Sequence, residues 1–328
     1  MKTLQYAHDA WKYLNGIFCI YKPPDLYNLF AKKTLAFNLC RDLNQMEKRP
    51  QQELVMLKGS VSTNKPFSVE LIPNYADHEL VSGPRYQDQD VRITEISALG
   101  KKSSGVLLMA VNDGCKHAKN LKECNFLCKY VVKGRFGLGT DTHMADGKVQ
   151  GRFTYSHIRQ AQLDRLLASI QASHQALGFK YSGVDIYSQE AYELASKGIV
   201  RPSGKSDPII YGMKCTDFEL PNFTLEIHCI NENEMFLAEL VQQIGVYLKS
   251  CAVCTQLRRT QFGHFTLEHA LLRKHWTLEY ILSNITLCKN ILGEDGYAPQ
   301  TAHFDSVELS RLKNVIKDMQ DKVREDSL

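Results

Sequence analysis

Short stretches of β-type sequence alternate irregularly with amphipathic helical patterns, and this alternation most constrains what the chain can fold into. Buried strands are predicted at about 16–21, 67–72, 105–111, 129–134, 209–218 and 223–230. Helical spacing of apolar residues predicts helices at about 26–43, 116–127, 156–177, 188–198 and 232–248. The first strand ends at Pro23-Pro24, because proline removes a ladder donor. Irregular alternation favours an α+β fold over a regular doubly wound α/β sheet.

Length and targeting signals narrow the class of protein further. The 328 residues suffice for one large domain or two ordinary ones. The longest apolar run, Val106–Val111, is too short to span a bilayer, so no membrane association is expected. The net charge of +4 permits a polyanionic partner without requiring one. The N-terminal leader, 1–15, lacks a secretory apolar segment and makes only a weak mitochondrial transit peptide.

The cysteines give little support for a metal site. Cys251 and Cys254 form an isolated Cys-x-x-Cys pair, and the only other close pair is Cys124 with Cys128. A structural zinc ion needs four ligands, so ordinary reduced cysteines are favoured over zinc. The histidines show no ligand spacing. We therefore expect neither a metal nor another cofactor.

Four separated segments carry the most specific information. They are Gly16–Pro24; Leu99–Leu107; Lys129-Tyr130 with the turn Gly139–Gly147; and a last set comprising Tyr181-Ser182, Tyr192, Ala195–Gly198, Gly245, Leu257-Arg258-Arg259 and Gly263-x-Phe265. In this order they resemble the TruB family of RNA pseudouridine synthases, whose second segment reads Gly-Thr-Leu-Asp-Pro-Leu-Ala-Ser/Thr-Gly-Val-Leu. Within that family the chain is most similar to the mitochondrial TruB-like paralogue of animals, which implies a mitochondrial location.

The resemblance implies a domain organisation. It predicts a TruB-type catalytic domain over 16–275, with a central mixed, mainly antiparallel sheet flanked by helices and an insertion at about 44–90. The C-terminal RNA-binding PUA domain of bacterial and archaeal relatives is expected to be absent. Residues 276–328 are predicted to form a helical tail, which is available to a protein partner.

The resemblance also implies a reaction that needs no metal or cofactor. A uridine is flipped out of its stack, its glycosidic bond is broken, and the base is reattached through carbon. RNA, not DNA, is the implied partner. Tyr130 matches the tyrosine on which the family stacks the flipped base, with a core tyrosine as the alternative interpretation.

The catalytic pair of the family is missing. Gly100 stands at the position of the nucleophilic aspartate, and Ala238 stands at that of the arginine that pairs with it. Losing both charges predicts a neutral pocket with no intact catalytic residue, since a single remaining buried charge would be costly. The acids considered as substitutes are Asp90, Glu95, Asp113 and Asp185. A carboxylate found beside Gly100 would reopen the question of activity.

RNA binding does not depend on the lost pair. The residues predicted to contact RNA are Lys22, Lys101, Lys102, Lys129, Lys133, Arg135, Arg258 and Arg259, with ordinary solvated surface residues as the alternative. Three functions therefore stay open at this point. The first is an RNA-binding, catalytically impaired TruB-type protein; the others are an active pseudouridine synthase using another acid and a protein-interaction scaffold.

Overall fold

A computed structural model describes residues 6–47, 53–59, 68–75, 79–185, 187–197 and 207–293. The predicted helix of the C-terminal tail lies outside the described residues, as does Gly198, the last residue of one predicted helix. The part of the tail that is described, Leu278–Leu292, is a helix whose buried side packs against the first strand.

The helices and strands occur in mixed order along the chain. The strands are β1 Gly16–Lys22, β2 Glu53–Lys58, β3 Ser68–Pro73, β4 Ile93–Glu95, β5 Ser103–Val111, β6 Cys128–Phe136, β7 Leu138–Thr140, β8 Val149–Arg152, β9 Ile209–Glu219, β10 Asn222–Ile230, β11 Ala252–Phe262 and β12 Phe265–Thr266. The helices are α1 Ala7–Tyr13, α2 Asn28–Gln45, α3 Glu79–Ser82, α4 Ala118–Glu123, α5 Gln160–Tyr181, α6 Gln189–Lys197, α7 Glu234–Tyr247 and α8 Leu278–Leu292.

An eight-stranded sheet organises the body of the protein. Its order is β1-β5-β11-β6-β10-β9, with β4 also paired to β5 and β12 to β11. Only β5 and β11 pair in parallel; the other neighbours are antiparallel. This confirms the predicted α+β fold with a mixed, mainly antiparallel sheet. Helix α5 packs on β9, α7 on β11 and α8 on β1, so helices flank the sheet.

Burial alternates along β6, because successive side chains of a strand point to opposite faces. Cys128, Tyr130 and Val132 are buried, whereas Lys133 and Arg135 are exposed. In the register of the sheet, Arg259 of β11 lies beside Tyr130 and Arg258 lies beside Val131. We call the face that carries Tyr130 and Arg259 the inner face, and the opposite one the outer face.

Several elements differ from the sequence-based predictions. The sequence around Cys251 and Cys254 predicts only a strand or turn after a helix, whereas the structure has the eleven-residue central strand β11 there. The predicted helix at 116–127 shortens to α4 after a 3₁₀ turn at Asn112–Lys116. The insertion contains the hairpin β2–β3 and the short helix α3. Apolar spacing predicts Leu29 on one side of α2 together with Leu35, Ala36 and Leu39, but only the last three are buried and Leu29 is exposed. Within the described ranges, no helix is long and apolar enough to cross a membrane.

Candidate functional site

The end of β1 and the loop before β5 are joined by a buried lysine. Lys22 has no exposed surface, and its Nζ donates to the carbonyl oxygens of Ser103 (2.8 Å), Lys101 (3.2 Å) and Pro23 (3.3 Å). Burial lowers the pKa of Lys22 to about 8, although the nearby Glu234 carboxylate partly opposes this. Lys22 therefore holds the Lys-Pro-Pro segment against the loop that contains Gly100.

The carboxylate of Glu234 occupies the space next to Gly100. A Cβ built on Gly100 would overlap the Glu234 carboxyl group and would lie 2.5 Å from the Cβ of Glu234. Glu234 Oε2 accepts hydrogen bonds from the backbone N–H and the hydroxyl of Ser103, both at 2.7 Å. Glu234 is the first residue of α7, where the helix dipole favours a negative charge. The expectation of a neutral pocket is therefore wrong, because a different element supplies a carboxylate.

The second altered position lies on the same helix. Ala238 is buried and comes four residues after Glu234, so the two side chains share a face of α7. The helix is oriented by Asn233, whose side chain accepts a hydrogen bond of 2.7 Å from the Phe236 N–H. The first turns of α7 thus bring together Glu234 and the position where the family has its arginine.

A buried charged group occupies the inner face of the sheet beside this loop. The Tyr130 hydroxyl donates to Glu232 Oε1 at 2.8 Å, and Arg259 Nη1 lies 3.7 Å from the same oxygen. Arg259 also donates to the Val106 carbonyl (2.8 Å) and to the hydroxyl (2.8 Å) and carbonyl (3.1 Å) of Ser97. The guanidinium has no exposed surface, but a carboxylate and three uncharged oxygens compensate its charge.

The electrostatics of this group follow from burial and from its neighbours. Burial alone would lower the pKa of Arg259, but Tyr130, Cys128 and Glu232 more than offset this and raise it. Burial, reinforced by Glu232, raises the pKa of Tyr130 well above its usual value. Tyr130 is 3% exposed and belongs to the hydrophobic core, so its role in stacking a base stays a prediction.

Four of the eight cations predicted to contact RNA are engaged within the protein. Lys22 and Arg259 have no exposed surface, so the structure does not support RNA contact by either and gives both a structural role. Lys102 Nζ lies 2.5 Å from Asp146 and 2.7 Å from Asp25, and the hydrogen bonds that it donates to these two carboxylates raise its pKa. Lys129 lies 2.9 Å from Glu226.

The other four do not form one cluster. Lys133, Arg135 and Arg258 belong to the outer face, on the far side of the sheet from Tyr130; Arg258 lies 5.7 Å from the centre of the Tyr21 ring. Only Lys101 stands at the Gly100 loop, with its Nζ 4.9 Å from the centre of the Tyr27 ring. Strand alternation places Lys133, Arg135 and Arg258 on one face, whereas Lys101 belongs to the loop before β5, so these four cations come from two parts of the structure.

None of the acids considered from the sequence contacts Gly100. Asp185 is exposed and accepts from the Tyr187 N–H in its own turn, and Asp90 does the same for Gln87. The other two pair with lysines: Glu95 with Lys32, and Asp113 with Lys116 at 2.7 Å. Three of the four acids lie near residue 100 along the chain, whereas Glu234 comes from a distant helix and was not among them. The usable signal was its position one helical turn before Ala238.

The cysteine pair does not assemble a metal site. Cys251 and Cys254 are free thiols, and Cys254 is buried in β11. Over the part of the chain that the structure describes, no group of three or more histidine, cysteine, aspartate or glutamate residues is placed to hold a metal ion. The geometry of the site is therefore that of carboxylates, hydroxyls and buried cations.

Comparisons with known proteins give the chain its relatives. The model of the TruB family pseudouridylate synthase N-terminal domain matches residues 90–235. Mitochondrial pseudouridylate synthase TRUB2 of Xenopus tropicalis is 37% identical over 290 residues, 87% of this chain and 89% of that protein. The Homo sapiens TRUB2 protein is 38% identical over 273 residues, 82% of each. Among solved structures, an archaeal box H/ACA sRNP Nop10–Cbf5 complex aligns with a TM-score of 0.43 and 12% identity, covering 87% of this chain and 58% of that one.

Proposed function

This chain belongs to the TruB family of pseudouridylate synthases, and we propose that it binds RNA in the cleft of that family but is impaired in converting uridine to pseudouridine. One observation carries the proposal of impairment. The position of the family's nucleophile has no side chain of its own, and the space that it would need is taken by Glu234.

The hydrogen bonds of Glu234 support a structural role for this carboxylate in the wall of the pocket. Its Oε2 accepts two hydrogen bonds from Ser103, which hold the carboxylate as an acceptor against the start of β5. A carboxylate oxygen that accepts two hydrogen bonds has a weaker tendency to donate electrons to a carbon atom. Ala238 supplies no cation to orient it. The pocket therefore lacks both members of the family's pair.

A second candidate function follows from the same carboxylate. Glu234 Oε1 accepts no hydrogen bond from the described residues, so Glu234 could replace the missing aspartate as the nucleophile of an active synthase. A nucleophile has to come within about 3–3.5 Å of the reacting carbon. Since Glu234 stands in the place of the missing side chain, it is the carboxylate best situated to do so.

Pseudouridine formation separates the two candidates. An RNA hairpin with a single uridine is incubated with the wild type, with Glu234→Gln, and with Glu239→Gln as the control on an exposed position of α7. We expect no pseudouridine from any of the three. Turnover that Glu234→Gln abolishes and Glu239→Gln preserves would establish Glu234 as the nucleophile. Turnover that survives in Glu234→Gln contradicts both candidates.

Binding is measured separately on the same hairpin. Because phosphate contacts dominate affinity, we expect binding that weakens steeply as salt is raised. An absence of binding at low salt would remove the RNA-binding function and leave a protein-interaction scaffold as the remaining hypothesis.

A mitochondrial site of action is part of the proposal. Its support is that the relatives at 37% and 38% identity are named as mitochondrial proteins. Fractionation of cells that express the full chain with a C-terminal tag should recover it with mitochondria, protected from added protease. Recovery in the cytosol would overturn this part alone.

A further inference from the structure

The solvent side of helix α2 carries large aromatic residues where a surface helix ordinarily carries polar ones. The core side of α2 is formed by Ala31, Leu35, Leu39, Cys40 and Leu43. On the opposite side, Phe30 and Phe37 are 54% and 58% exposed, and Tyr27, just before the helix, is 51% exposed. Residues seven apart share a helix face, so both phenylalanines point away from the core.

Cations are interleaved with these rings. We call the surface formed by Tyr27, Phe30, Lys33, Phe37, Arg41 and Lys101 the α2 stripe. Lys33 is exposed and has no ion-pair partner among the described residues, whereas Arg41 lies 2.8 Å from Asp42. Lys101 Nζ stands over the Tyr27 ring, and the Tyr27 and Phe30 rings are 6.1 Å apart. Aromatic platforms with adjacent cations are typical of surfaces that bind single-stranded nucleic acid.

The stripe begins at the candidate functional site. Lys101 follows Gly100 directly, and its carbonyl accepts from Lys22. From Tyr27 the stripe runs outward along α2, and Phe30 and Phe37 are about 10 Å apart along the helix axis. A strand leaving the pocket next to Gly100 would therefore meet Tyr27 first and the phenylalanines next.

From these observations we infer that the α2 stripe binds the single-stranded RNA flanking the nucleotide held in the pocket. Bases stack on Phe30 and Phe37, and phosphates lie near Lys33 and Lys101. RNA fits better than an apolar protein segment, because unpaired cations accompany the rings and the stripe is continuous with the pocket. The inference rests on the proposed RNA binding and adds to it a second contact region outside the pocket.

The test compares two RNAs and two kinds of substitution. One hairpin is blunt, and the other carries a single-stranded pyrimidine flank. Phe30→Leu with Phe37→Leu keeps an apolar surface but removes the π faces, while Tyr247→Leu, at an exposed tyrosine near the far end of α7, is the matched control. We expect the double variant to bind the flanked hairpin at least about tenfold more weakly and the blunt hairpin as the wild type does.

The outcomes distinguish a failure of the inferred α2 stripe contact from a failure of the proposed RNA binding in the pocket. If the leucine variant binds both hairpins like the wild type, the stripe does not stack bases, the inference is overturned, and RNA binding in the pocket stands. Equal weakening on both hairpins overturns it as well, because the effect is then not on the flank. If the wild type binds neither RNA, the proposed function itself has failed. Photo-crosslinking from a flank nucleotide to a peptide of α2 is the independent positive result expected.

Discussion

Two cations without exposed surface lie on the two sides of the candidate site, and they are stabilised in opposite ways. Arg259 has the buried carboxylate of Glu232 at 3.7 Å, and its neighbours raise its pKa. Lys22 donates only to backbone carbonyls, and burial lowers its pKa to about 8. One side of the site therefore has a cation beside a buried carboxylate, and the other has a cation held by uncharged oxygens, whose pKa is lowered.

The difference shows that the two sides of the site differ in their charged residues: only the Gly100 side lacks the charged pair of the family. On the Tyr130 side, the Tyr130 hydroxyl of β6 and the Arg259 guanidinium of β11 both approach the carboxylate of Glu232, which lies between β10 and α7. On the Gly100 side, the aspartate and arginine of the family are absent, and Glu234 is held by Ser103. A buried ion pair cannot lose one member cheaply, whereas a carboxylate bound to uncharged donors can be rearranged.

Breaking the ion pair should have the largest effect. Arg259→Met leaves the Glu232 carboxylate buried without its cation, so we expect a loss of about 3–5 kcal/mol in the free energy of unfolding. Urea denaturation measures it. Arg258→Met, one residue earlier on the outer face, is the control and should cost about 1 kcal/mol or less. Similar losses in the two variants would show that Arg259 contributes packing and not charge compensation.

The pH dependence of Lys22 tests the other side of the comparison. Between about pH 8 and the ordinary lysine pKa of 10.5, the folded protein releases this proton while the unfolded chain retains it. The unfolded state then binds more protons, so this group adds stability as pH rises. Relative to Lys22→Met, the wild type should gain up to about 3 kcal/mol across this range.

The measurement is urea denaturation of both proteins at several pH values within this range. Each raised cysteine pKa contributes with the opposite sign, but equally in both proteins, and cancels in the difference. The exposed Lys133→Met is the control and should run parallel to the wild type at every pH. If Lys22→Met also runs parallel, the buried lysine does not titrate in this range.

The sequence predicted the strands whose apolar residues follow a strand pattern. It missed the contacts between residues that are distant in sequence and meet only in the folded sheet. Strands β1, β5, β6, β9 and β10 lie close to their predicted positions. The central β11 was largely missed, because Gln256, Arg258, Arg259 and Gln261 make this segment polar in sequence. Only the folded sheet buries Arg259 beside Glu232. The TruB resemblance located Gly100 and Ala238. It did not locate Glu234, because the hydrogen bond that holds Glu234 beside the Gly100 loop joins it to Ser103, 131 residues away, and no local sequence pattern predicts such a contact.

The smallest expected effect concerns the contact between position 100 and Glu234, where a side chain at position 100 would overlap the glutamate. Gly100→Ala places a methyl group against Glu234, so we expect it to cost about 1–3 kcal/mol in the free energy of unfolding. In a Glu234→Gly background, which removes the Cβ as well as the carboxyl group, the same methyl group has room, and the cost should largely disappear. Thermal or urea unfolding of the four proteins gives a coupling energy, expected at about 0.5–3 kcal/mol.

Equal costs in the two backgrounds would mean that Glu234 does not take the place of the missing side chain, and the second candidate function, with Glu234 as the nucleophile, would lose its basis. A clear coupling has a further consequence for reconstruction of the site. Gly100→Asp alone would set two carboxylates against each other, which is unfavourable when both are ionised. An aspartate at position 100 should therefore be tolerated only together with Glu234→Gly, because glutamine would remove the charge but keep the overlapping atoms. Its pairing would additionally need Ala238→Arg on the same face of α7.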